Sequence, residues 1–507
     1  MKAWYFIVKK MTRYSWISLV LALLFLFITL ASCGDGSSDN GSANLSDSKD
    51  TANENESADG EIVTETVKEL PDLPDEDLGG YNFRIYTKSP SGYNEWANQD
   101  IYVTEENGEP INDAVYVRNR SVEERFNVVI SEVPGQSMYS NAQNVILAGA
   151  DDYDAMTPNM YDSASLALAD CLIDLKTVEN LDLSRIWWDQ RANIDLSLNN
   201  KLYFTVGDLF IMDNDATWLT IFNKSLIEKY NLESPYDLVR SNNWTFDKYY
   251  EMLYADIAQD LNGDGEMTRE DMYAQVCQGE NSTAYFLAAG EHYISKDASD
   301  MPVLTAMTER AVAVTERIFD IMFDRSVSFD YWDLSEAEPF KVTQAMFEAN
   351  RALFKCTALQ LVIRMRTMET EFGIIPMPKF NAAQEEYGHY VHPTASALSI
   401  PTTATDLART GMILEALAAE STYTVRPAYY EISMKGKFFR DNESEEMLDI
   451  ILSSRVFELA TMYSTSGLGG LHESFVRTRS REFVSTYTKN EGAYQKAIDK
   501  IIETVTE

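Results

Sequence analysis

The twelve residues from Asp260 to Asp271, D-L-N-G-D-G-E-M-T-R-E-D, space their oxygen-bearing side chains as a calcium-binding loop does. Polar side chains stand at loop positions one, three, five and twelve, a backbone carbonyl is available at seven, and glycine stands at six, where such loops turn sharply. The predicted calcium ligands are Asp260, Asn262, Asp264, Glu266 and Asp271. Asp271 replaces the usual glutamate, and its shorter side chain reaches bidentate coordination less easily.

Residues for nucleophilic or zinc-dependent catalysis form no recognisable motif. The sequence has neither G-x-S-x-G nor H-E-x-x-H, and its four histidines are scattered. His389 and His392 share one segment, but their spacing beside Pro393 indicates a loop and not a zinc site. The cysteines Cys171, Cys277 and Cys356 lack C-x-x-C spacing. They are predicted to be buried free thiols, with one disulfide bridge as the alternative.

The first 32 residues have the parts of an export signal. Basic residues precede a long apolar run, and L-A-S-C follows at Leu30 to Cys33. This ending resembles the lipobox of bacterial lipoproteins, which implies cleavage after residue 32 and lipids, palmitate included, on Cys33. A transmembrane anchor is the alternative, since the run approaches the roughly 20 residues that cross a bilayer. Either way the rest of the chain is expected outside the cytoplasm, anchored at the outer face of the cell membrane by Cys33.

Composition divides the remainder into a tether and a folded part. Residues 33–75 are mostly polar and are predicted to be a flexible tether, because they cannot bury enough apolar surface to fold. More than 400 residues follow, enough for two lobes. Removing residues 1–32 takes away four of the 42 basic residues and none of the 80 acidic ones, which leaves a net charge near −42. Nucleic acid is therefore excluded as a partner.

Alternating and helical patterns predict the elements that position the polar residues. Residues 81–87 read as a strand, 112–126 as a helix, and N-V-V-I-S-E-V as a second strand, which together indicate a βαβ unit and a parallel sheet. A third strand, Y-D-A-M-T-P, ends at a loop where α/β proteins commonly bind ligands. Further along, Thr245 is a predicted helix N-cap and F-G-I-I-P-M-P a strand. Residues 446–463 have one apolar helical face.

The order of these segments resembles that of extracellular solute-binding proteins of bacterial ABC importers, in the sugar-binding group that includes maltose-binding protein. The matching segments are Y-D-A-M, N-K-L-Y-F-T-V, F-N-K-S-L-I, N-W-T-F-D and F-G-I-I-P-M-P, after the lipobox and tether. The resemblance covers about residues 78–507. It implies an α/β, two-lobed, periplasmic-binding-protein-like fold of the class II type, with a hinge and a ligand cleft between the lobes.

The resemblance also implies where the chain passes between the lobes. Crossings are expected near 204–210 and 394–400, with a return near Phe340. The first lobe would then hold residues 76–208 and 338–394. The second lobe would hold residues 209–337 and 395–507, with the calcium loop at 260–271.

Carried over residue by residue, the resemblance nominates a ligand site in four segments: N-M-Y-D after the third strand, the acidic turn D-N-D-A-T-W, a loop of the second lobe and V-R-P-A-Y-Y-E. The candidates are Asn159, Tyr161, Asp162, Asp213, Asn214, Asp215, Trp218, Tyr285, Tyr429 and Tyr430, with Glu291 and Arg426 as weaker ones. A sugar presents hydroxyls at its edge and C–H groups on its faces, so carboxylates beside aromatic rings fit it. Each aspartate could instead cap a turn, and each tyrosine could belong to the core.

The expected function is capture of a carbohydrate, an oligosaccharide, for the permease subunits of an ABC importer by a monomer that closes its lobes and catalyses nothing. A surface glycoside hydrolase is one alternative, because 80 acidic residues do not exclude a facing pair of carboxylates. A binding protein for a non-sugar solute is another.

The calcium loop has two functional interpretations. It closely resembles the loops of dockerins, but dockerins carry two in tandem and a second is absent here. Its position well inside the chain favours a structural role, with calcium holding an insertion of the second lobe. An acidic turn without metal is the remaining alternative.

Overall fold

The computed structural model describes residues 68–88, 96, 99–365, 368–430 and 442–506. The predicted signal peptide 1–32, the lipidation site Cys33 and the tether up to residue 67 lie outside the described residues. Within the described ranges, no helix is long and apolar enough to cross a membrane.

The described strands form two larger sheets and two short ribbons. They are β1 (Tyr81–Lys88), β2 (Val128–Gly135), β3 (Ala155–Met156), β4 (Trp218–Asn223), β5 (Tyr273–Cys277), β6 (Ile294–Lys296), β7 (Pro302–Leu304), β8 (Ser328–Asp330), β9 (Ala352–Ala358), β10 (Phe372–Ile375), β11 (His389–Tyr390) and β12 (Arg455–Val456). The first sheet has the order β2-β1-β3 and the second β10-β4-β9-β5-β8, while β6 pairs with β7 and β11 with β12.

Helices cover both sheets and fill the connections between strands. They are α1 (Pro110–Phe126), α2 (Met138–Leu147), α3 (Met160–Ala167), α4 (Gln190–Asp195), α5 (Met212–Asp215), α6 (Lys224–Lys229), α7 (Pro235–Arg240), α8 (Phe246–Leu253), α9 (Asn281–Ala288), α10 (Glu309–Met322), α11 (Pro339–Glu348), α12 (Leu359–Arg364), α13 (Leu407–Tyr423), α14 (Val425–Tyr430), α15 (Asn442–Ser453), α16 (Leu459–Met462), α17 (Leu471–Thr478) and α18 (Phe483–Thr506).

The first sheet contains the predicted βαβ unit. β1 pairs in parallel with β2 and with β3, and α1 connects β1 to β2. Helix α1 starts at Pro110, where the missing N–H is not needed, and stops at Asn127 in the left-handed conformation, with φ 47°. Its buried residues Val115, Val122 and Phe126 confirm the apolar face read from their spacing.

The second sheet mixes strand directions. β4 is buried at every residue and runs antiparallel to β9 and β10, whereas β5 runs parallel to β8 and β9. The predicted strand F-G-I-I-P-M-P is confirmed as β10. Thr245 is confirmed as the N-cap of α8, where its side chain accepts a hydrogen bond from the Lys248 N–H.

The strand pairing corrects the predicted lobe boundaries. β9 and β10 fall in the range 338–394, which the sequence assigned to the first lobe, yet they pair with β4 and β5 in the second sheet. The expected return near Phe340 is wrong for the same reason, because α11 leads directly into β9.

The range 395–507, assigned to the second lobe, is also divided. Leu398 and Ser399 form bridges to Thr205 and Met156 at the first sheet, and α13 packs on α1. In contrast, α15 packs on β10, and α17 packs on α9. The chain from Leu398 to α14 therefore belongs to the first lobe, and α15 to α18 belong mainly to the second.

Two described segments connect the lobes side by side. Thr205 pairs with Leu398 at the first lobe, and Thr217 pairs with Val391 at the second, both antiparallel. The crossings expected near 204–210 and 394–400 fall within these segments.

Three smaller predictions have clear outcomes. The tether ends before residue 68, since Lys68 forms an ion pair with Glu420 at 2.9 Å and the Glu69 N–H donates to the Tyr423 hydroxyl at 2.7 Å. The helix expected over 446–463 is wrong beyond Ser453, because β12 interrupts it to pair with β11. The three cysteines of the described chain are buried and unbridged, as predicted.

A buried guanidinium joins the lobes beside the connecting segments. Arg455, in β12, donates one Nη1 hydrogen bond to Asp213 Oδ2 at 2.6 Å and another to Asn214 Oδ1 at 2.5 Å. Its Nη2 donates to Asp189. The Asp189 and Asp213 side chains are 8% and 2% exposed, so both carboxylates depend on this single cation for compensation of their charge.

We expect Arg455→Met to lower the free energy of unfolding by about 3–5 kcal/mol, because it leaves two carboxylates buried without a counter-charge. Urea unfolding measures the loss. Arg191→Met is the matched control, since that guanidinium is 43% exposed and pairs with a 78% exposed Glu386 side chain. It should cost about 1 kcal/mol or less. Equal losses for the two variants would contradict a special role for Arg455.

Candidate ligand-binding cleft

The carboxyl ends of four strands meet at one cavity. β5, β8 and β9 run in the same direction, so their last residues reach the same edge of the second sheet, and the end of β1 approaches it from the first. Lys88, Gln278, Tyr331 and Ala358, which close or follow these strands, line a cavity of about 490 Å³. We call it the strand-end chamber. Open α/β sheets bind ligands at this edge.

Aromatic and polar side chains alternate around the strand-end chamber. Trp218 begins β4, Phe340 lies in the first turn of α11, and Trp96 comes from the first lobe. The remaining polar wall is formed by Gln278, Glu280, Gln360, Arg364, His392 and Thr394.

A second cavity adjoins the first. It measures about 420 Å³ and shares Glu280 and His392 with the strand-end chamber. Its other walls are Tyr161 of α3, Thr283, Tyr390, Glu473 and the segment between Ala460 and Gly470. We call it the acidic chamber. The two chambers together form the cleft, which has walls from both lobes.

Two buried polar atoms in the wall of the strand-end chamber lack a hydrogen-bond partner within the described chain. They are Trp218 Nε1, a donor, and Gln278 Oε1, an acceptor, in side chains that are 3% and 8% exposed. An unpaired buried donor or acceptor costs roughly 1–3 kcal/mol. A ligand that both donates and accepts would satisfy the two atoms.

Two carboxylates face the acidic chamber. Both oxygens of Glu280 accept from the Tyr331 hydroxyl, at 2.9 and 3.1 Å. Burial raises the pKa of Glu280 above its usual range. Burial, together with the charge of Glu280, raises the pKa of Glu473 to about 7. The pair is therefore partly protonated near neutral pH.

Gly279 allows the two carboxylates to come close. A Cβ on Gly279 would lie 2.7 Å from Glu473 Cγ and would also strike the Trp332 ring. Only a residue without a side chain lets α17, which carries Glu473, approach the turn between β5 and α9.

Rings surround the neutral histidine of the cleft. Burial lowers the pKa of His392 to about 4, so the ring is uncharged at neutral pH. The rings of Tyr161 and Tyr390 form T-shaped contacts with the His392 ring, with centroid distances of 6.1 and 5.7 Å. The Trp218 ring stacks with the Tyr390 ring, with centroids 6.5 Å apart.

A third cavity, of about 380 Å³, lies away from the strand ends around Arg455. Its walls include Asp189, Asp208, Asp213, Asn214, Tyr429 and Tyr430. We call it the rear cavity. Its charged groups are largely paired with each other, as Asp213 and Asp189 with Arg455 and Asp208 with Arg426.

The predicted ligand residues fall into three groups. Trp218 and Tyr161 line the cleft. Asp213, Asn214, Tyr429 and Tyr430 line the rear cavity, with the weaker candidate Arg426. The others are Asn159, Asp162, Asp215, Tyr285 and Glu291, which line none of these three cavities.

Residues of the third group have structural partners. Asn159 caps α3 by accepting from the Asp162 N–H at 2.8 Å. Asp215 accepts from the Tyr429 hydroxyl at 2.7 Å, and burial raises the pKa of Asp215 to about 7. Tyr285 is fully buried and donates to the Tyr249 hydroxyl. Glu291 forms an ion pair with Arg310.

Sequence reasoning missed Gln278, Glu280, Tyr331, His392 and Glu473. The signal for the first two was the segment Y-A-Q-V-C-Q-G-E, an apolar run followed at once by polar residues. In the structure the first five residues of this segment are the central strand β5, and Q-G-E follows its carboxyl end. The sequence-based nomination instead chose Tyr285 and Glu291, which lie in and just beyond the next helix, α9.

In the predicted calcium loop, aspartate side chains accept hydrogen bonds from backbone N–H groups of the same loop. Gly263 and Gly265 adopt φ of 75° and 85°. Asp260 accepts from the N–H groups of both glycines, and Asp271 accepts from the Thr268 N–H at 2.7 Å. A carboxylate has about four acceptor sites, so these bonds leave oxygen lone pairs for a hard cation. Within the described chain, no group of three or more His, Cys, Asp or Glu is gathered as around a metal ion. Calcium therefore stays a prediction.

The fold matches solved structures of solute-binding proteins. No protein-family model matches the sequence, and no curated protein does. The fold is similar to the two-lobed α/β fold of solute-binding proteins of the maltose-binding type, as predicted.

Three of these structures give the extent of the match. UgpB from Mycobacterium tuberculosis in complex with glycerophosphocholine has a TM-score of 0.54 at 14% identity, covering 84% of this chain and 99% of that one. A cyclo/maltodextrin-binding protein complexed with maltotetraose has a TM-score of 0.52 at 11% identity, with 84% and 97% covered. Apo RafE from Streptococcus pneumoniae has a TM-score of 0.50 at 12% identity, with 84% and 98% covered. At these identities the likeness establishes the fold.

We expect Gly279→Ala to destabilise the protein by about 1–3 kcal/mol, because the added methyl overpacks the contact with Glu473 and Trp332. Urea unfolding measures the change. Gly470→Ala is the matched control, since a Cβ there meets nothing within 4 Å. A Gly279→Ala variant as stable as Gly470→Ala would show that the turn and α17 are not in close contact.

Proposed function

We propose that the protein captures a carbohydrate in the cleft and delivers it to an ABC importer. The observation that carries the proposal is the strand-end chamber, where aromatic rings stand beside an unpaired buried donor and an unpaired buried acceptor. Sugar hydroxyls both donate and accept, so they could supply the acceptor that Trp218 Nε1 lacks and the donor that Gln278 Oε1 lacks. The rings of Trp218, Tyr331 and Phe340 offer faces for the C–H surface of a sugar.

The size of the cleft supports an oligosaccharide. The two chambers, of about 490 and 420 Å³, are each in the range of pockets for small ligands, roughly 300–1,000 Å³. The maltodextrin-binding structure with this fold holds maltotetraose, a ligand of this class. Walls from both lobes would let closure about the connecting segments exclude water from the ligand.

The proposal extends to the surroundings of the protein. Lipids on Cys33 would hold the chain at the outer face of the cell membrane, and closed, ligand-loaded monomers would dock on the permease subunits. We propose that the protein is a binder and not an enzyme.

The pair of Glu280 and Glu473 supports one alternative, a glycoside hydrolase, because retaining and inverting enzymes both use two carboxylates. Long incubation with a bound oligosaccharide, followed by chromatography of the sugar, separates the two functions. A binder leaves the glycan uncut, and released shorter sugars would establish hydrolysis.

We expect at least one plant-derived oligosaccharide to raise the melting temperature of residues 68–507 in a thermal-shift panel, because a ligand that binds only the folded state stabilises it. Trp218→Phe retains an aromatic ring at this position, smaller than the indole, and removes the Nε1 donor, so it should weaken binding by about 5- to 20-fold, the worth of a hydrogen bond in a buried site.

Two controls locate the binding site. Tyr285→Phe changes a core hydroxyl, and Tyr430→Phe changes the wall of the rear cavity. Both should leave affinity unchanged. Loss of affinity in Tyr430→Phe with none in Trp218→Phe would move the site to the rear cavity. A response to another nutrient, and to no sugar, would overturn the carbohydrate assignment.

We also propose that the loop from Asp260 to Asp271 binds structural calcium. EDTA should lower the melting temperature and excess calcium should restore it, because metal binding adds to folding stability. Asp264→Asn should reduce this response, whereas Asp297→Asn, in another exposed turn, should not. Equal melting temperatures with EDTA and with calcium would show that the loop holds no metal. Sugar specificity should not change.

A further inference from the structure

The acidic chamber carries negative charge without a cation in its wall. Glu280 and Glu473 are its ionisable acids, and none of the described residues lining it is a lysine or arginine. His392 is neutral because burial lowers its pKa to about 4. Partly buried carboxylates normally have a positive partner. In the free protein a proton offsets part of this charge, because the pKa of Glu473 is raised to about 7, and a bound cation would take the place of that proton.

The charged groups nearby do not fill that role. Arg477 acts on Glu473 from outside the chamber wall, with its guanidinium 4.1 Å from the centre of the Trp332 ring. Arg325 forms ion pairs with Asp330 and Asp333 instead.

The other basic groups face the other half of the cleft. Lys88 and Arg364 line the strand-end chamber. The cleft is thus acidic at one end and contains the basic groups at the other, which would orient an asymmetric ligand.

The rest of the acidic half is suited to a cation. Tyr161, Tyr390 and Tyr463 line the chamber, and tyrosine ring faces attract cations. The adjoining wall adds another acceptor, because Gln278 is 8% exposed and its Oε1 has no hydrogen-bond partner in the described chain. Carboxylates and a carbonyl oxygen are all acceptors, and an ammonium group offers three donors and no acceptor.

We propose that the acidic chamber binds an ammonium group of the ligand, so that the substrate class is amine-bearing saccharides. The inference rests on the proposed carbohydrate function. The ammonium would lie between Glu280 and Glu473 under the tyrosine rings, and the uncharged remainder of the saccharide would extend into the strand-end chamber.

Isothermal titration calorimetry with two matched probes tests this assignment. The probes are maltotetraose with one amino group in place of the hydroxyl at C6 of its non-reducing end, and the same molecule with that amine acetylated, which removes the charge. This alkyl amine stays protonated at neutral pH and below, so only the protein titrates over the range tested. At pH 7 the amine-bearing form should bind at least about tenfold more tightly, the difference expected for a well-placed ionic contact in a desolvated site.

Variants locate the contact. Glu473→Gln keeps the shape of the side chain and removes its charge, so it should abolish most of the preference for the amine while retaining the weaker binding of the acetylated form. Glu482→Gln is the matched control, because Glu482 is exposed outside the cleft. It should change neither affinity. Circular dichroism of both variants confirms that each is folded.

The pH dependence has a definite sign. Binding of a cation requires ionised carboxylates, and the pKa of Glu473 is about 7 in the free protein. Affinity for the amine-bearing probe should therefore fall as the pH is lowered from 7.5 to 5.5, because protons compete for the same site. In Glu473→Gln the slope should become shallower.

The outcomes separate this inference from the function on which it rests. Equal affinity for the two probes, or tighter binding of the acetylated one, would overturn the ammonium site and leave carbohydrate capture intact. Binding of neither probe, with no stabilisation by any other amine-bearing or neutral saccharide, would overturn both. A preference for the amine that survives Glu473→Gln and Glu280→Gln would place the cation elsewhere and overturn the site.

Discussion

Strand direction is the constraint from which the cleft follows. A parallel strand delivers the residues after its carboxyl end to one edge of a sheet, and β5, β8 and β9 all point that way. The polar residues Gln278 and Tyr331 are adjacent in space for that reason alone. The paired segments at Thr205 and Leu398 then set the first lobe against this edge. The direction of the strands thus determines where the cleft lies, and the side chains at the strand ends determine its chemistry.

Those side chains carry an energetic cost in the free protein. Burial raises the pKa of both Glu280 and Glu473, and the charge of Glu280 raises the pKa of Glu473 further. Trp218 and Gln278 each have a polar atom without a hydrogen-bond partner among the described residues. A site that is costly when empty discriminates well, because a ligand that lacks the matching groups recovers none of that cost. The rear cavity differs in kind, since Arg455 already compensates Asp189 and Asp213 in its wall.

Local features could be predicted from the sequence, and pairing over long distances could not. The βαβ unit, the Thr245 cap and the strand β10 depend on neighbouring residues, so periodicity and capping preferences reveal them. The lobe boundaries depend on which strands pair, and β9 looks the same in sequence whichever sheet it joins. The same difficulty affected the cleft. Trp218 and Tyr161 were found, but Glu473 comes near Glu280 only because Gly279 admits α17, a contact between residues almost two hundred positions apart.

The pairing of Thr205 with Leu398 has a consequence for how the chain folds. About 190 residues, essentially the whole second sheet with its helices, lie between these two partners. Closing so long a loop is slow when its interior is disordered, but a second lobe that folds first brings Thr217 and Val391 together and shortens the effective loop to about 20 residues. The second sheet would then act as an internal template, and the segment that follows Leu398 would be the last part of the first lobe to join it.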